Sequence, residues 1–224
     1  MQNTGFLFRK PNAVPCTVYL PRDAKPVGTL LFLHGRGECG TNGTRPLLVG
    51  LPRWLMAQPE RWPFAVVIPQ KPDELLPWRH YQDAVMTHLD EAIAEHGLDA
   101  NRVAITGLSQ GGNGAMRIGA DFADRFRAVA PVCGFPRFFH TEPESADAAI
   151  VADVADKLAA KPVRLYHGEA DDVILPEESI KLHKALQDRG SNAVLELYPG
   201  VNHNSWDQAY GESDLAEWFA DIMQ

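Results

Sequence analysis

Residues 102–114 read RVAITGLSQGGNG, an apolar run followed by a glycine-rich turn and the start of a helix-like segment. The uninterrupted apolar run is typical of a strand that is buried on both faces of a parallel sheet. Gly107 and Gly111 flank Ser109 in a G-x-S-x-G pattern. This pattern is typical of a tight turn between such a strand and a helix, where bulky neighbouring side chains do not fit. The stretch therefore predicts a strand, a turn and a helix that present Ser109 as a candidate nucleophile.

Apolar runs of the same kind alternate with helix-like segments along the rest of the chain. Further strands are predicted at 16–20, 29–33, 64–69, 127–134, 163–168 and 193–200. Helices are predicted at 81–93, 110–122, 146–160, 176–189 and 212–222. This alternation predicts an α/β fold with a mostly parallel sheet of about eight strands and helices on both faces. Functional sites in such sheets form at the carboxyl ends of the strands.

Composition and charge indicate a globular protein that binds neither nucleic acid nor membranes. The chain has 224 residues, a length that predicts a single domain over 1–224. Its net charge is −8 and it has no cluster of lysine and arginine, so nucleic acid and anionic membranes are not expected as partners. No apolar run is long enough to span a bilayer. The sequence carries no signal of an oligomeric state.

The three cysteines, Cys16, Cys39 and Cys133, are widely spaced and form no CxxC pair. An odd number at such spacing argues against a disulfide framework or a zinc knuckle, and it predicts reduced thiols. The N-terminal segment 1–15 has no apolar stretch of the kind that a secretion signal requires. Together these features predict a cytoplasmic protein.

A serine hydroxyl is a weak nucleophile and needs a base. In this architecture the order along the chain is serine, acid, histidine, which leaves His183 and His203 as candidates. His183 lies in the middle of a predicted helix, where a histidine side chain on the solvent-facing side of the helix is the expected explanation. His203 lies in a loop just after the strand predicted at 193–200, at a carboxyl end, and is therefore predicted to be the base.

The acid that orients the histidine is expected in the loop after the preceding strand. Glu169, Asp171 and Asp172 follow Gly168 in that loop. A carboxylate there would hold the histidine tautomer and stabilise the imidazolium. The residues by themselves leave Asp171 and Asp172 open as the acid.

The sequence HGRG at 34–37 follows a predicted strand and is similar to loops that supply a main-chain N–H to an oxyanion hole. The two donors are predicted to be the main-chain N–H groups of Arg36 and of Gln110, the residue after the nucleophile. His34 is expected to be structural, because no second ligand at zinc spacing accompanies it. No metal and no cofactor is expected.

These motifs resemble the α/β-hydrolase superfamily, and more closely its group of small carboxylesterases, polyhydroxybutyrate-depolymerase-like esterases and predicted peptidases. The similarity extends from about residue 28 to the end of the chain and rests on LHGRGECG, VIPQ, WRHYQDAV, DANRVAITGLSQGGNGAM, AVAPVCG, LYHGEADDVI and YPGVNHNSWDQAY. It implies an α/β-hydrolase fold in which Ser109 is the nucleophile, His203 the base and Asp171 the acid.

One segment departs from the pattern of this group. The group has proline directly after the acid and again four residues further on, whereas this chain has Asp172 and Leu175 there and Pro176 one place later. Counting from the histidine–glycine pair gives Asp171 as the acid, and counting back from proline gives Asp172. We expect Asp171, because the ungapped match continues into PEESIKLHKAL.

The resemblance implies a serine hydrolase that cleaves carboxylic esters through an acyl-enzyme, with a small-molecule ester as its substrate. A serine peptidase on the same fold is the alternative, since the same triad can cleave amides. A non-catalytic ligand-binding homologue belongs to a different class, because fold does not fix function. Such a protein is expected to lack at least one triad member, and none is missing.

Residues 135–162 occupy the span where this superfamily often inserts a lid. Much of the span is predicted to be helix and the remainder, FPRFFHTEP, is too short for a large cap, so little or no lid is expected. Without a cap a long acyl chain stays exposed, and each unburied CH₂ forgoes about 0.8 kcal/mol, so short or compact acyl groups are expected. The candidates for the pocket wall are five aromatic residues, although large aromatic side chains more often belong to the core: Trp78, Phe135, Phe138, Phe139 and Trp206.

Overall fold

The computed structural model describes residues 5–9, 14–22 and 25–224. The prediction that no secretion signal is present was based on the segment 1–15. Residues 1–4 and 10–13 of that segment lie outside the described residues. No helix in the described ranges is long and apolar enough to cross a membrane.

Within these described ranges, eight strands form one sheet. They are β1 (Gly5–Arg9), β2 (Cys16–Leu20), β3 (Thr29–Leu33), β4 (Ala65–Pro69), β5 (Val103–Leu108), β6 (Ala128–Val132), β7 (Arg164–Gly168) and β8 (Val194–Tyr198). Their spatial order is β1-β2-β4-β3-β5-β6-β7-β8. Strand β2 pairs antiparallel with β1 on one side and with β4 on the other. Strands β3 to β8 pair with one another in parallel. The predicted mostly parallel sheet is confirmed.

Seven α-helices accompany the sheet within the described residues. They are α1 (Leu51–Ala57), α2 (Gln82–His96), α3 (Gln110–Asp121), α4 (Asp147–Leu158), α5 (Glu177–Gln187), α6 (Trp206–Gly211) and α7 (Leu215–Ile222). The sequence did not predict α1 and α6, which have 7 and 6 residues and are too short to show a periodic apolar stripe.

Helices cover both faces of the sheet, as predicted. Side chains of successive strand residues point to opposite faces. In β3, Leu31 and Leu33 pack into one core with helices α2 to α5, while Leu30 and Phe32 pack into a second core with α1, α6 and α7. Every residue of β3 is buried. Burial on both sides explains why this strand reads as an uninterrupted apolar run.

The edge strand β1 was also missed by the sequence reading. It pairs with β2 and Phe8 within it is 51% exposed, so its burial pattern differs from that of the central strands. At the functional edge of the sheet, residues 133–146 connect β6 to α4 and contain one short 3₁₀ turn, Glu144–Ala146. This connection is too short to form a separate cap domain.

Candidate active site

Ser109 lies between the last residue of β5 and the first residue of α3. Its backbone has φ 54° and ψ −117°, a positive-φ conformation that residues with a side chain rarely adopt. Strained residues of this kind persist where the surrounding structure fixes them, and they concentrate at functional sites. Ser109 lines a cavity at the carboxyl end of the sheet.

Two glycines make this turn possible. A Cβ on Gly107 would overlap the main chain of Gly111, and a Cβ on Gly111 would overlap the carbonyl oxygen of Leu33 in β3. Rotation of a side chain cannot relieve either overlap, because the atoms on the other side belong to the main chain. Both glycines of the G-x-S-x-G pattern are therefore required by close main-chain packing.

The imidazole of His203 lies between the serine hydroxyl and a carboxylate. Its Nε2 is 3.0 Å from Oγ of Ser109, and its Nδ1 is 2.7 Å from Oδ2 of Asp171. A carboxylate accepts only, so Nδ1 carries a proton and donates it, and Nε2 accepts the hydroxyl hydrogen of Ser109. The structure thus brings together the three residues that the sequence selected.

The other candidates lie elsewhere. Asp172 is exposed. The Nε2–H of His183, on α5, donates to the carbonyl of Ala193 at 3.0 Å. His34 is buried, and its pKa is lowered to about 3, chiefly because burial disfavours the charged imidazolium. It therefore stays neutral inside the protein.

Asp171 is buried and accepts hydrogen bonds from several directions. The main-chain N–H groups of Val173 and Ile174 donate to its Oδ1 at 2.9 and 3.0 Å. Burial on its own would raise the pKa of Asp171, but hydrogen bonds from His167, His203 and these two amides together hold its pKa below the usual value. The carboxylate therefore remains ionised and can stabilise a charged His203.

His167 is a site residue that the sequence reading missed. It is fully buried at the end of β7, with Nε2 2.9 Å from the carbonyl of Ile174 and 3.2 Å from Oδ2 of Asp171. Two acceptors face Nε2, so Nε2 carries the proton and the hydroxyl of Ser179 donates to Nδ1 at 2.7 Å. The signal that could have found it is a histidine within an apolar strand, four residues before the acid.

Arg36 and Gln110, the predicted oxyanion-hole residues, are both first residues of helical turns. Arg36 begins a 3₁₀ turn, Arg36–Glu38, and Gln110 begins α3. The first N–H groups of a helix have no partner within it, so they can donate to a ligand. Both residues line the cavity together with Ser109 and His203. The arrangement can therefore stabilise negative charge that forms beside Ser109.

The cavity has a volume of about 510 Å³ and largely apolar walls. Three of the five aromatic candidates, Phe135, Phe139 and Trp206, line it, and the rings of the first two stack at a centroid distance of 4.7 Å. Of the remaining two, Trp78 is buried in the core on the side of α2 to α5, and Phe138 is buried in a small cluster with Phe135 and Ile174. The pocket suits an apolar group of limited size next to the nucleophile.

One group in the described part of the chain has the composition of a metal site. Ligand atoms of Cys133, Asp171 and His203 lie within 4.8 Å of one another. Asp171 and His203 are already hydrogen-bonded to each other. Burial raises the pKa of the Cys133 thiol, which disfavours the thiolate that binds metals. The donor set therefore fits a metal poorly.

A serine on a strand–helix turn, followed in chain order by an aspartate and a histidine after later strands of a parallel sheet, defines an α/β-hydrolase. The chain belongs to the dienelactone hydrolase family, whose model matches residues 75–214, more than half of the chain. This family is part of the α/β-hydrolase superfamily, so the resemblance predicted from the sequence is confirmed.

Individual proteins are similar to this chain at lower identity. An uncharacterized secreted protein of Arthroderma benhamiae is 26% identical over 240 residues, covering 94% of this chain and 24% of that protein. Dipeptidyl peptidase family member 1 of Caenorhabditis elegans is 33% identical over 120 residues, covering 49% of this chain and 15% of that protein. The chain therefore spans a quarter or less of the length of these two relatives.

A solved structure of a thermostable esterase superposes with a TM-score of 0.78 at 24% identity. The match covers 96% of this chain and 62% of that one, so the shared part is nearly the whole fold described above. At this level of identity the likeness bears on the fold, and it agrees with the α/β-hydrolase architecture.

The match to a secreted protein contradicts the cytoplasmic location predicted from the sequence, and that prediction is wrong. The physical reason lies in the cysteines on which it rested. Cys16, Cys39 and Cys133 are all buried, and none of them forms a disulfide within the described residues. Buried thiols that form no disulfide are compatible with any compartment. The cysteines therefore carried no information about location.

Proposed function

We propose that this protein hydrolyses carboxylic esters with short or compact acyl groups, with Ser109 as the nucleophile. The observation that carries the proposal is the hydrogen-bonded series Ser109–His203–Asp171 at the wall of an apolar cavity. Membership of a family of hydrolases supports it. A small-molecule ester is the expected partner, and the net charge of −8 argues against nucleic acid.

The reaction begins when Oγ of Ser109 attacks the ester carbonyl carbon while Nε2 of His203 takes the hydroxyl proton. The main-chain N–H groups of Arg36 and Gln110 donate to the oxyanion of the tetrahedral intermediate. Asp171 stays ionised and stabilises the imidazolium. The C–O bond to the leaving group breaks, His203 gives its proton to the departing alcohol, and an acyl-enzyme remains.

Deacylation repeats these steps with water as the nucleophile. Nε2 of His203 takes a proton from water, the hydroxide attacks the acyl carbon, and the second tetrahedral intermediate uses the same two N–H donors. When the bond to Oγ breaks, His203 returns the proton to Ser109 and the carboxylic acid leaves. No step of this scheme uses a metal or a cofactor.

Removing the nucleophile tests the proposal. Wild type should hydrolyse p-nitrophenyl acetate and butyrate, and Ser109→Ala should lower kcat on the order of 10⁵-fold, because the covalent path is lost while binding remains. Circular dichroism and thermal unfolding serve as the control for folding. A fluorophosphonate probe should label the wild type and not the variant, which distinguishes a hydrolase from a binding protein. Wild-type activity in purified Ser109→Ala would mean that another residue is the nucleophile.

A peptidase is the second candidate, favoured by the similarity of half of this chain to a dipeptidyl peptidase family member. Paired substrates that share one acyl group distinguish the two functions. An esterase should cleave the p-nitrophenyl ester of an amino acid and leave its p-nitroanilide intact, whereas a peptidase should cleave both. We expect no Ser109-dependent cleavage of the anilide. Efficient Ser109-dependent cleavage of the anilide would assign the site to peptides.

We further propose that residues 1–224 act as one domain, because a single sheet with a core on each face runs through the described residues. Thermal unfolding should then show one cooperative transition, coincident by calorimetry and circular dichroism. Two separate transitions would indicate two folding units.

A further inference from the structure

Among the described lysines, only Lys71 has a fully buried side chain. It lies two residues beyond the end of β4. Burying an ammonium is costly, and such groups usually pair with a carboxylate. Within the described ranges no carboxylate lies within 4 Å of the Lys71 Nζ, which instead donates to the carbonyl of Leu76 at 2.5 Å and to Oε1 of Gln110 at 2.6 Å. The burial of this charge therefore needs an explanation.

The acceptor Gln110 connects Lys71 to the proposed oxyanion hole. Both ends of the Gln110 side chain are engaged, since Oε1 accepts from Lys71 and Nε2 donates to the carbonyl of Glu74 at 2.9 Å. The main-chain N–H of the same residue is one of the two proposed donors. Holding the side chain at two points fixes the first residue of α3, and with it the direction of that N–H.

The main chain of Lys71 contacts the segment that carries the second proposed donor. Its N–H donates to Nε2 of His34 at 3.0 Å, and its carbonyl accepts from the N–H of Gly40 at 3.0 Å. Arg36 lies between these two residues. One residue therefore makes hydrogen bonds to both segments from which the oxyanion hole is built.

From this geometry we propose that Lys71 is a positioning residue of the oxyanion hole, an inference that rests on the hydrolase function proposed above. Lys71 holds Gln110 in register with the 34–40 segment, and its positive charge strengthens the hydrogen bond to Gln110 through which it does so. Lys71 does not line the cavity, so its effect passes through Gln110. A charged ammonium donates a stronger hydrogen bond than a neutral amine, so the hold on Gln110 depends on Lys71 keeping its proton.

The protonation state of Lys71 gives the inference a second observable. Burial lowers the pKa of Lys71 to about 8, while Cys39, Asp73 and Glu74 act in the opposite direction and raise it. The ammonium prevails at neutral pH and is lost as the pH rises through about 8. His34, which contacts the Lys71 amide, is neutral over this range because its pKa is lowered to about 3. Activity should therefore fall on the alkaline side as Lys71 loses its proton.

A double-mutant cycle tests whether Lys71 acts through Gln110. Lys71→Met, Gln110→Met and the double variant are assayed on p-nitrophenyl butyrate. Each single change should lower kcat about 10- to 100-fold, in the range of a weakened oxyanion donor, with KM within about threefold of wild type. The double variant should be no more than about threefold slower than the slower single variant, because each change removes the other's partner. Effects that multiply would overturn the inference.

The matched control is Lys181→Met, which removes a lysine that pairs with Asp147 and Glu178 away from the cavity. Its kcat should stay within about twofold of wild type, as expected for a partly exposed ion pair. A fall as large as that of Lys71→Met would show that the loss is not specific to the oxyanion hole.

The pH profile separates positioning from a merely structural role. Wild-type kcat should decline above about pH 8. The kcat of Lys71→Met should be lower than that of wild type at neutral pH and should not decline further above about pH 8. If Lys71→Met does not fold, the wild-type profile alone is informative, because a constant kcat between about pH 7 and about pH 9.5 would overturn the inference. Wild-type protein with no Ser109-dependent ester hydrolysis would overturn the proposed function as well. Lys71→Met with wild-type kcat and profile would overturn only the role of Lys71.

Discussion

The turn at 107–111 and the loop at 168–175 each hold a functional side chain at the same edge of the sheet, but by different forces. The turn holds Ser109 by main-chain packing, since the positions of Gly107 and Gly111 have no space for a Cβ. The serine is left with a φ of 54° that the packing imposes. Charge plays no part in this restraint.

The loop holds Asp171 by hydrogen bonds instead. Two main-chain N–H groups, from Val173 and Ile174, and two imidazoles, from His167 and His203, surround its carboxylate. These contacts depend on the carboxylate being charged and on side chains from β7 and the loop after β8. The comparison teaches that the turn depends on the absence of side-chain volume beside Ser109, whereas the loop depends on the charge of the Asp171 carboxylate.

Among the changes that test this comparison, the largest effect is expected from removing the charge in the loop. Asp171→Asn keeps the volume but favours the wrong tautomer of His203, so kcat should fall on the order of 10⁴-fold. Asp172→Asn is the matched control, since Asp172 is exposed, and it should stay within about tenfold of wild type, a difference of about 1.4 kcal/mol. Both purified variants are assayed on one p-nitrophenyl ester. The opposite result would assign the acid to Asp172.

A smaller effect is expected from adding volume in the turn. Gly111→Ala would place a Cβ against the Leu33 carbonyl and push the start of α3 outward, carrying Ser109 with it. A displacement of about 1 Å at a reacting group lowers kcat about 10²-fold, and the melting temperature should fall as well. Steady-state kinetics and thermal unfolding measure the two effects.

Gly119→Ala in the same helix is the control for that prediction. A Cβ on Gly119 would lie 3.1 Å from Cγ2 of Val129, a side-chain atom that can shift by a few tenths of an ångström. Alanine also gains about 1 kcal/mol of helix propensity over glycine. We expect kcat within about twofold of wild type for this variant. Equal losses in the two variants would show that packing of the turn is not what positions Ser109.

The smallest effect concerns the substrate that lies between the two regions. The cavity wall on the loop side includes Val173, which is 64% exposed, so a long acyl chain would extend into solvent there. Carbons beyond the cavity gain none of the roughly 0.8 kcal/mol per buried CH₂. We expect kcat/KM on the palmitate ester to be no higher than that on p-nitrophenyl butyrate. A preference for palmitate would mean that a longer apolar groove exists.

Much of the architecture was predictable because strands buried on both faces leave an unbroken apolar run in the sequence. The strand predicted at the start of the stretch 102–114 corresponds to β5, and the helix predicted at 110–122 corresponds to α3. The edge strand β1 left no such run, and α1 and α6 are too short to leave a periodic stripe. A sequence pattern becomes visible when many residues of a regular element are buried on one or both faces. These three elements contain too few buried residues to form such a pattern.

The site was predictable where a residue type is tied to a local conformation. Ser109 could be selected because its flanking glycines mark a turn that excludes side chains, and His203 because it follows a strand in the expected chain order. Asp171 and Asp172 are chemically identical neighbours, so the residues alone could not separate them. Their difference, one buried and the other exposed, arises from how the loop packs on the rest of the protein.

The sequence by itself determined the α/β architecture and selected Ser109 and His203 as the candidate nucleophile and base, because each of these depends on local packing or on order along the chain. The tertiary structure was needed to show which aspartate meets His203, that His167 also contacts that aspartate, and that Lys71 reaches Gln110 39 residues away. Such contacts join side chains from different strands and loops. Hydrogen bonding and burial between distant segments depend on the folded arrangement, which no local pattern of residues encodes.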